Sequence, residues 1–197
     1  ERADQAEAVN TISRTQDGKL RGDNTDGPGL VNDLIKNLGW RIKDRKILVI
    51  GAGGAVSGVL ASLLAEAPSV LDVTNRTHAK AQKLEQKFAG ATAVATDRLQ
   101  ESYDLVINGT SAGLSHQDLE ISGSVITGNT CCYDMIYGSG ITRFNHWCQQ
   151  QAECVVADGL GMLVEQAALA FMIWFGEQVN TAPDTQSVID TIRSNLD

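Results

Sequence analysis

The 197-residue chain has no excess of positive charge: sixteen Lys and Arg face twenty-four Asp and Glu, a formal net charge of −8. That balance argues against nonspecific attraction to nucleic acid or to an anionic membrane, while leaving room for a local positive site for a small anion. Its four cysteines, Cys131, Cys132, Cys148 and Cys154, include no CxxC pair and no matching histidine cluster. Two of them are adjacent and cannot easily both face one metal, so no metal site is expected. They read as ordinary buried thiols of a reducing cytoplasm. Long hydrophobic runs are also missing. The most apolar stretch, 159–176, is interrupted by Glu165 and Gln166 and is too short to cross a bilayer, so it is expected to be a core helix. There are no internal repeats or low-complexity tracts, and no signal peptide is visible. No initiator methionine stands at Glu1, so the chain is expected to be a piece of a longer parent.

What is present is an alternation of short apolar strands and helical segments. Pro28 with Leu30, Val31, Leu34, Ile35 and Leu38 predicts a helix closed by Gly39. KILVIGAGGA then gives a buried strand running into glycines, followed by Val59, Leu60, Leu63 and Leu64 at helical spacing. Further strands are expected at VLDVTN, TAVA, YDLVIN, CYDMIY and CVVA, with a charged helix over 79–88, a long helix from about Gly159 and a polar one from Gln186. This is the pattern of an α/β protein with a doubly wound parallel sheet.

GAGGAVSG follows a strand and opens a helix, the context in which a glycine turn cradles phosphate. Gly51 permits the tight turn, Gly53 lets backbone approach a pyrophosphate, and the helix N-terminus offers unpaired N–H groups. Val56 stands at the third glycine position of the dinucleotide fingerprint. The bland alternative is a strand-to-helix turn with no ligand. The next strand ends in Asn75-Arg76-Thr77, with Lys80 one turn on, where an NAD site carries an acid for the ribose hydroxyl. Basic residues there favour NADP, because a guanidinium can fork onto a 2′-phosphate. Their other reading is a solvated surface.

The loop with NRTHAK, joined to AVNT, GDNTDG, INGTSAGLS, YDMIYGSGITRF and DGLGMLVEQAALAF, resembles the shikimate dehydrogenase family over essentially the whole chain. The resemblance implies a Rossmann-type NADP-binding domain over 26–158, with 1–25 and 159–197 as remnants of a substrate-binding domain. It implies that Asn10, Thr25, Asp26, Tyr137 and Gln166 meet shikimate or 3-dehydroshikimate, with Asp26 the acidic member of the catalytic pair. Gly51, Ala52, Gly53, Gly54 and Ala55 would hold the pyrophosphate, and Asn75, Arg76, Thr77 and Lys80 the adenosine phosphate. Met135 and Gly159 would line the nicotinamide side, Thr110 and Ser111 would sit beside the cofactor at the end of the fourth strand, and Glu1 would lie near the cleft. A quinate-type dehydrogenase and a non-catalytic NADP-binding module are the alternatives.

Two of these residues also have readings of their own. Asp26, just before Pro28, could be a plain helix cap. Gln166 projects from an apolar helix face and needs a partner, either a ligand hydroxyl or the backbone of a neighbouring loop. The chain departs from the family in lacking, in their motifs, its substrate-binding serine pair and its catalytic lysine. A truncated form that binds NADP but turns over weakly is therefore expected, with exposed apolar area favouring self-association.

Overall fold

A computed structural model describes residues 2–99, 102–110, 121–176, 178–179 and 181–196. Six short strands form one parallel sheet: β3 (Lys46–Ile50), β4 (Val70–Thr74), β5 (Thr92–Ala93), β6 (Leu105–Asn108), β7 (Cys131–Asp134) and β8 (Val155–Asp158), in the order β5-β4-β3-β6-β7-β8. Each of the expected strands is present, and the doubly wound α/β arrangement is the one the alternation predicts. The strands are apolar on both faces because helices cover both. Ile47, Val49, Leu105 and Ile107 point into one core, and Leu48, Ile50, Val106 and Cys132 into the other.

The first core is closed by α2 (Asp26–Asn32), α3 (Gly54–Ala65), α4 (His78–Lys87) and the first turns of α6 (Leu160–Phe175), through Leu30, Leu34, Val56, Val59, Leu60, Leu63, Leu84 and Met162. The second is closed by α5 (Arg143–Gln151), through Phe144 and Cys148. Three of the four thiols are buried there. Burial pushes Cys154 up to about 12, and a hydrogen bond with Cys148, together with burial, raises Cys132 as well.

Helix α2 does not stop at Asn32 but continues as a π-helical turn, Asp33–Asn37, ending at Gly39 with a φ of +67°. Within this turn Asp33 accepts from Asn37 Nδ2 at 2.9 Å and from the Tyr133 hydroxyl at 2.6 Å.

The opening segment is regular, though no periodicity in its sequence marks it. A short helix α1 (Arg2–Ala6) precedes a hairpin of β1 (Thr11–Arg14) and β2 (Leu20–Asp23), whose turn carries Asp17-Gly18 with Gly18 at φ +83°. Arg2 ties α1 to β2 by a two-pronged bond to Asp23, at 2.9 and 2.8 Å. The hairpin reaches α6, where the Trp174 indole donates to the Ile12 carbonyl at 2.8 Å. The last helix, α7 (Thr185–Leu196), has no buried residue and is anchored by Arg193, which grips both oxygens of Asp158.

Candidate active site

The register of the sheet aligns its carboxyl end. Thr74, Ile50, Asn108, Asp134 and Asp158 are paired in a row across β4, β3, β6, β7 and β8. The residues that follow them, Asn75, Gly51, Gly109, Met135 and Gly159, therefore lie side by side along one rim. The order of strands reverses between β3 and β6, and ligands of open α/β sheets bind in the crevice at such a reversal. Gly51 stands there, at φ +114°, where a Cβ would lie 3.1 Å from both the Gly109 carbonyl and the Thr110 methyl. A side chain at Gly51 would close the crevice.

Past Gly51 and the half-buried Ala52 the loop opens. Gly53 caps α3, and Gly53, Gly54 and Ala55 are exposed, with nothing within 4 Å of a Cβ placed on either glycine. Helix α3 has no acidic residue in its first turn to compete with an anion for its N–H groups. The absent third fingerprint glycine also has an explanation. Val56 is fully buried, and a Cβ on Gly109 would collide with its Cγ2. The close helix-to-sheet approach usually granted by a glycine on the helix is granted here by one on the next strand's end.

Asn75 folds its amide back onto the Thr77 carbonyl at 3.0 Å, which shapes the turn into α4 and leaves Arg76, Thr77 and Lys80 exposed. On the other side of the crevice, Thr110 donates to Asn108 Oδ1 at 2.7 Å, and Asn108 Nδ2 donates to Asp134 Oδ1 at 3.0 Å. Asp134 is buried, which raises its carboxyl above the ordinary range, and it also accepts the Ile136 N–H. Asn108 and Asp134 were not singled out in the sequence, although polar residues closing two apolar strands are the signal for them. Gly159 lies directly under Met135, whose carbonyl a Cβ there would strike. Its glycine is required by that approach. Ser111 and Glu1 lie outside the described residues.

A second cluster lies beside the second turn of α3. Asn10, from the loop before β1, donates from Nδ2 to Asp26 Oδ1 at 2.8 Å, to Thr25 Oγ1 at 3.0 Å and towards Gln166 Oε1 at 3.4 Å. Thr25 donates from Oγ1 to Gln166 Oε1 at 3.3 Å, and its N–H reaches Asn10 Oδ1 at 3.0 Å. Three segments far apart in sequence thus bring four amide, hydroxyl and carboxylate groups into one hydrogen-bonded set. Asp26 is the first residue of α2 rather than its cap. The cap position belongs to Thr25, and neither makes a side-chain cap bond. The Gln166 side chain is not bonded to the backbone of a neighbouring loop among the described residues: its oxygen accepts from Asn10 and Thr25, and its Nε2 donates to the Leu163 carbonyl of its own helix at 3.0 Å. Tyr137, exposed after β7, makes no hydrogen bond to the cluster among the described residues.

The two sites are joined through α3. Asp26 Oδ2 would lie 3.8 Å from a Cβ on Gly58, and a Cβ on Gly27 would collide with Ser62 of the same helix. The carboxylate is therefore held against the helix whose N-terminus forms the glycine loop.

Comparison with known proteins gives a consistent result. Residues 33–117 match the family model described as "Shikimate / quinate 5-dehydrogenase", and residues 159–189 match "Shikimate 5'-dehydrogenase C-terminal domain". A protein of Alkalilimnicola ehrlichii named "Shikimate dehydrogenase (NADP(+))" is 49% identical over 185 residues, 92% of this chain and 68% of the relative. One of the same name from Laribacter hongkongensis is 46% identical over 200 residues, 100% of this chain and 71% of the relative. Among solved structures, shikimate 5-dehydrogenase from Thermus thermophilus, in complex with NADP(H) and shikimate, superimposes with a TM-score of 0.84 at 33% identity, over 99% of this chain and 71% of that one. An Ael1 enzyme from Pseudomonas putida gives 0.89 at 38%, over 97% of this chain and 70% of that one.

Proposed function

Since the chain belongs to the shikimate dehydrogenase family, we propose that it works as an NADP-dependent oxidoreductase interconverting 3-dehydroshikimate and shikimate, a step of aromatic amino acid biosynthesis. The observation that carries this reading is the convergence of Asn10, Thr25, Asp26 and Gln166 beside the glycine-loop helix. Amides and hydroxyls suit a small polyhydroxylated acid, because each substrate hydroxyl both donates and accepts. Tyr137 completes the substrate contacts on this reading.

The residues present fit NADP. Gly51–Ala55 leave space at the start of α3 for a pyrophosphate. Asn75, Arg76, Thr77 and Lys80 stand at the end of β4 for the 2′-phosphate, Thr110 stands beside the cofactor at the end of β6, and Met135 and Gly159 line the rim for the nicotinamide side. Ser111 follows Thr110 in that assignment. When bound, NADPH supplies a hydride to the substrate ketone.

The chain's own residues bind, orient and handle the proton. The cluster holds the substrate ring against the cofactor rim, where near-attack geometry accounts for much of the rate. Asp26 is the carboxylate of the catalytic pair. It accepts from a substrate hydroxyl and orients an ammonium donor. No lysine among these residues stands in the family's catalytic motif, so the 197 residues alone are expected to bind NADP and turn over weakly.

The same reading assigns 26–158 to NADP and 1–25 with 159–197 to the substrate side, supported by the bonds from Asn10 to Gln166 and from Trp174 to Ile12. It places the protein in the cytoplasm, in keeping with four free cysteines. Among the described residues no helix is long and apolar enough to cross a membrane. It also includes self-association through Ile12, Leu20, Phe171, Trp174 and Phe175, all exposed on the hairpin and α6.

The test is NADPH formation from NADP+ with shikimate, with quinate in parallel and NAD+ as the alternative cofactor. Shikimate with NADP+ should give the product, slowly. Equal rates with NAD+, or oxidation of quinate alone, would overturn the reading as stated.

A further inference from the structure

Gln166 sits on a helix that could easily be misplaced. Helix α6 is apolar along most of its length, LGMLVEQAALAFMIWF, and α2 meets it at Gly29. Apolar surfaces tolerate repacking, so contact alone does not fix the register of one helix on another. A slip of one residue on an α-helix turns a side chain by about 100° and moves it about 1.5 Å along the axis. Either change would carry Gln166 Oε1 out of reach of Asn10 and Thr25, which lie 3.4 and 3.3 Å away.

Two kinds of contact flank Gln166. The first is steric. Gly29 of α2 lies directly on it, since a Cβ there would be 2.8 Å from Gln166 Cβ and 2.9 Å from its backbone nitrogen. Five residues earlier the relation is reversed, and Gly161 of α6 makes room for the Asp33 carboxylate, which any side chain at 161 would strike. Each helix thus carries a glycine notch filled by the other.

The second contact is polar and buried. Glu165, the immediate neighbour of Gln166, is only 5% exposed. Its Oε2 accepts from Asn32 Nδ2 at 3.2 Å and its Oε1 from Asn37 Nδ2 at 3.3 Å. Asn37 Nδ2 also donates to Asp33 Oδ1 at 2.9 Å, and Asp33 takes the Tyr133 hydroxyl at 2.6 Å. Among the described residues no lysine or arginine is bonded to either carboxylate. Two buried acids served only by amides and a phenol are a poor source of stability, because the desolvation cost consumes the gain. What such a network does well is to specify one register, since any slip leaves buried acceptors unbonded.

We propose that Asn32, Asn37 and Glu165 are positioning residues for Gln166, locking α6 onto α2 in the one register that presents the Gln166 amide to Asn10, Thr25 and the substrate. The π-helical turn belongs to the same device, because it brings Asn37 onto the level of Glu165. The inference rests on the reading of Gln166 as a substrate contact.

The test compares Glu165→Leu and Glu165→Gln with the unaltered protein in three measurements: NADP+ affinity, shikimate affinity in the NADP+-saturated protein, and the side-chain NH2 resonances of Asn10 and Gln166 without ligand. Glu165→Leu is expected to weaken shikimate about tenfold, the loss of about one substrate hydrogen bond. It should leave NADP+ affinity within about twofold and move the Asn10 and Gln166 resonances. Glu165→Gln retains one accepting oxygen and should recover most of the shikimate affinity. Should Glu165→Leu fail to fold, Asn32→Ala and Asn37→Ala, each removing one donor, are expected to show the same pattern more weakly. Unchanged shikimate affinity together with unmoved Asn10 and Gln166 resonances in a folded variant would overturn the proposal. If the unaltered protein binds no shikimate, the substrate reading has failed instead. The resonances then still decide whether Glu165 fixes the Gln166 amide.

Discussion

The glycine loop and the polar cluster share the first two turns of α3, but they are made of different material. The loop is backbone: Gly51 at positive φ, Gly53 and Gly54 bare of side chains, and the free N–H groups of a helix start. The cluster is side chain, with Asn10, Thr25, Asp26 and Gln166 bonded to one another and held from behind by Gly27, Gly29 and the Glu165 network. A backbone site needs only a strand, a turn and a helix in sequence, and it recognises what every dinucleotide shares. A side-chain site needs separate segments placed to within a few tenths of an ångström, and it recognises one substrate. Changes at the second site should therefore affect substrate handling without cofactor affinity, and changes near the first should do the reverse.

The largest expected effect is at Asp26. Asp26→Asn keeps an oxygen for Asn10 but removes the charge, and, measured where the family's catalytic lysine is also present, shikimate oxidation should fall about 10²- to 10⁴-fold, the range for a lost acid–base contribution. Calorimetry should find NADP+ affinity nearly unchanged; a parallel loss of cofactor binding would merge the two sites into one. Next is Arg76→Ala, which should erase a preference for NADP+ over NAD+ of about ten- to a hundredfold, since a hydrogen bond to a charged group contributes about 1.5–3 kcal/mol. NAD+ titrations should hardly change. An equal loss for both cofactors would make Arg76 a support of the loop.

Gly29→Ala should act in the opposite sense to Arg76→Ala. Its methyl meets Gln166 backbone at 2.9 Å, so α2 and α6 must separate, at about 1–3 kcal/mol of stability. Shikimate affinity should fall about tenfold with the displaced amide while NADP+ binding holds. Thermal melts and substrate titrations together check this. A melt shift with no change in shikimate affinity would break the link between helix spacing and substrate.

The smallest effect concerns the segment that carries Asn10. Arg2 holds the Asp23 carboxyl below the usual range, so the bond stabilises the fold above the unfolded carboxyl value of about 3.9 and is lost as pH falls through the lower folded value. The pair is partly exposed and should contribute under about 1 kcal/mol. Melts run from neutral pH into acid should fall less steeply for Arg2→Met than for the unaltered chain.

The same difference of material decides how much of the molecule the sequence makes legible. KILVIGAGGA, VLDVTNRT and YDLVIN carry strand and turn in one local run, so the sheet, the crevice and the glycine loop can be read from periodicity and glycines. The role taken over by Gly109 is not legible, because its partner Val56 belongs to another strand-helix unit. The hairpin of β1 and β2 carries a signal, Asp17-Gly18 between short strands, but Ile12 and Leu20 face outward at 60% and 75% exposure, without the buried alternation that marks a strand. Asp33 and Glu165 stand out only as charges inside apolar helical patterns. Their partners, Tyr133, Asn32 and Asn37, become evident once three elements are packed together.

One measurement bears on both sites at once. The ¹⁵N-labelled chain is titrated first with NADP+ and then with shikimate, following backbone amides and side-chain NH2 groups. NADP+ should move Gly51–Ala55 and Asn75–Lys80 and leave the Asn10 and Gln166 side chains near their starting positions. Shikimate should then move Asn10, Thr25 and Gln166 and add little at Asn75–Lys80. Shikimate that moves nothing, or that moves the glycine loop in place of the Asn10 cluster, would contradict the account.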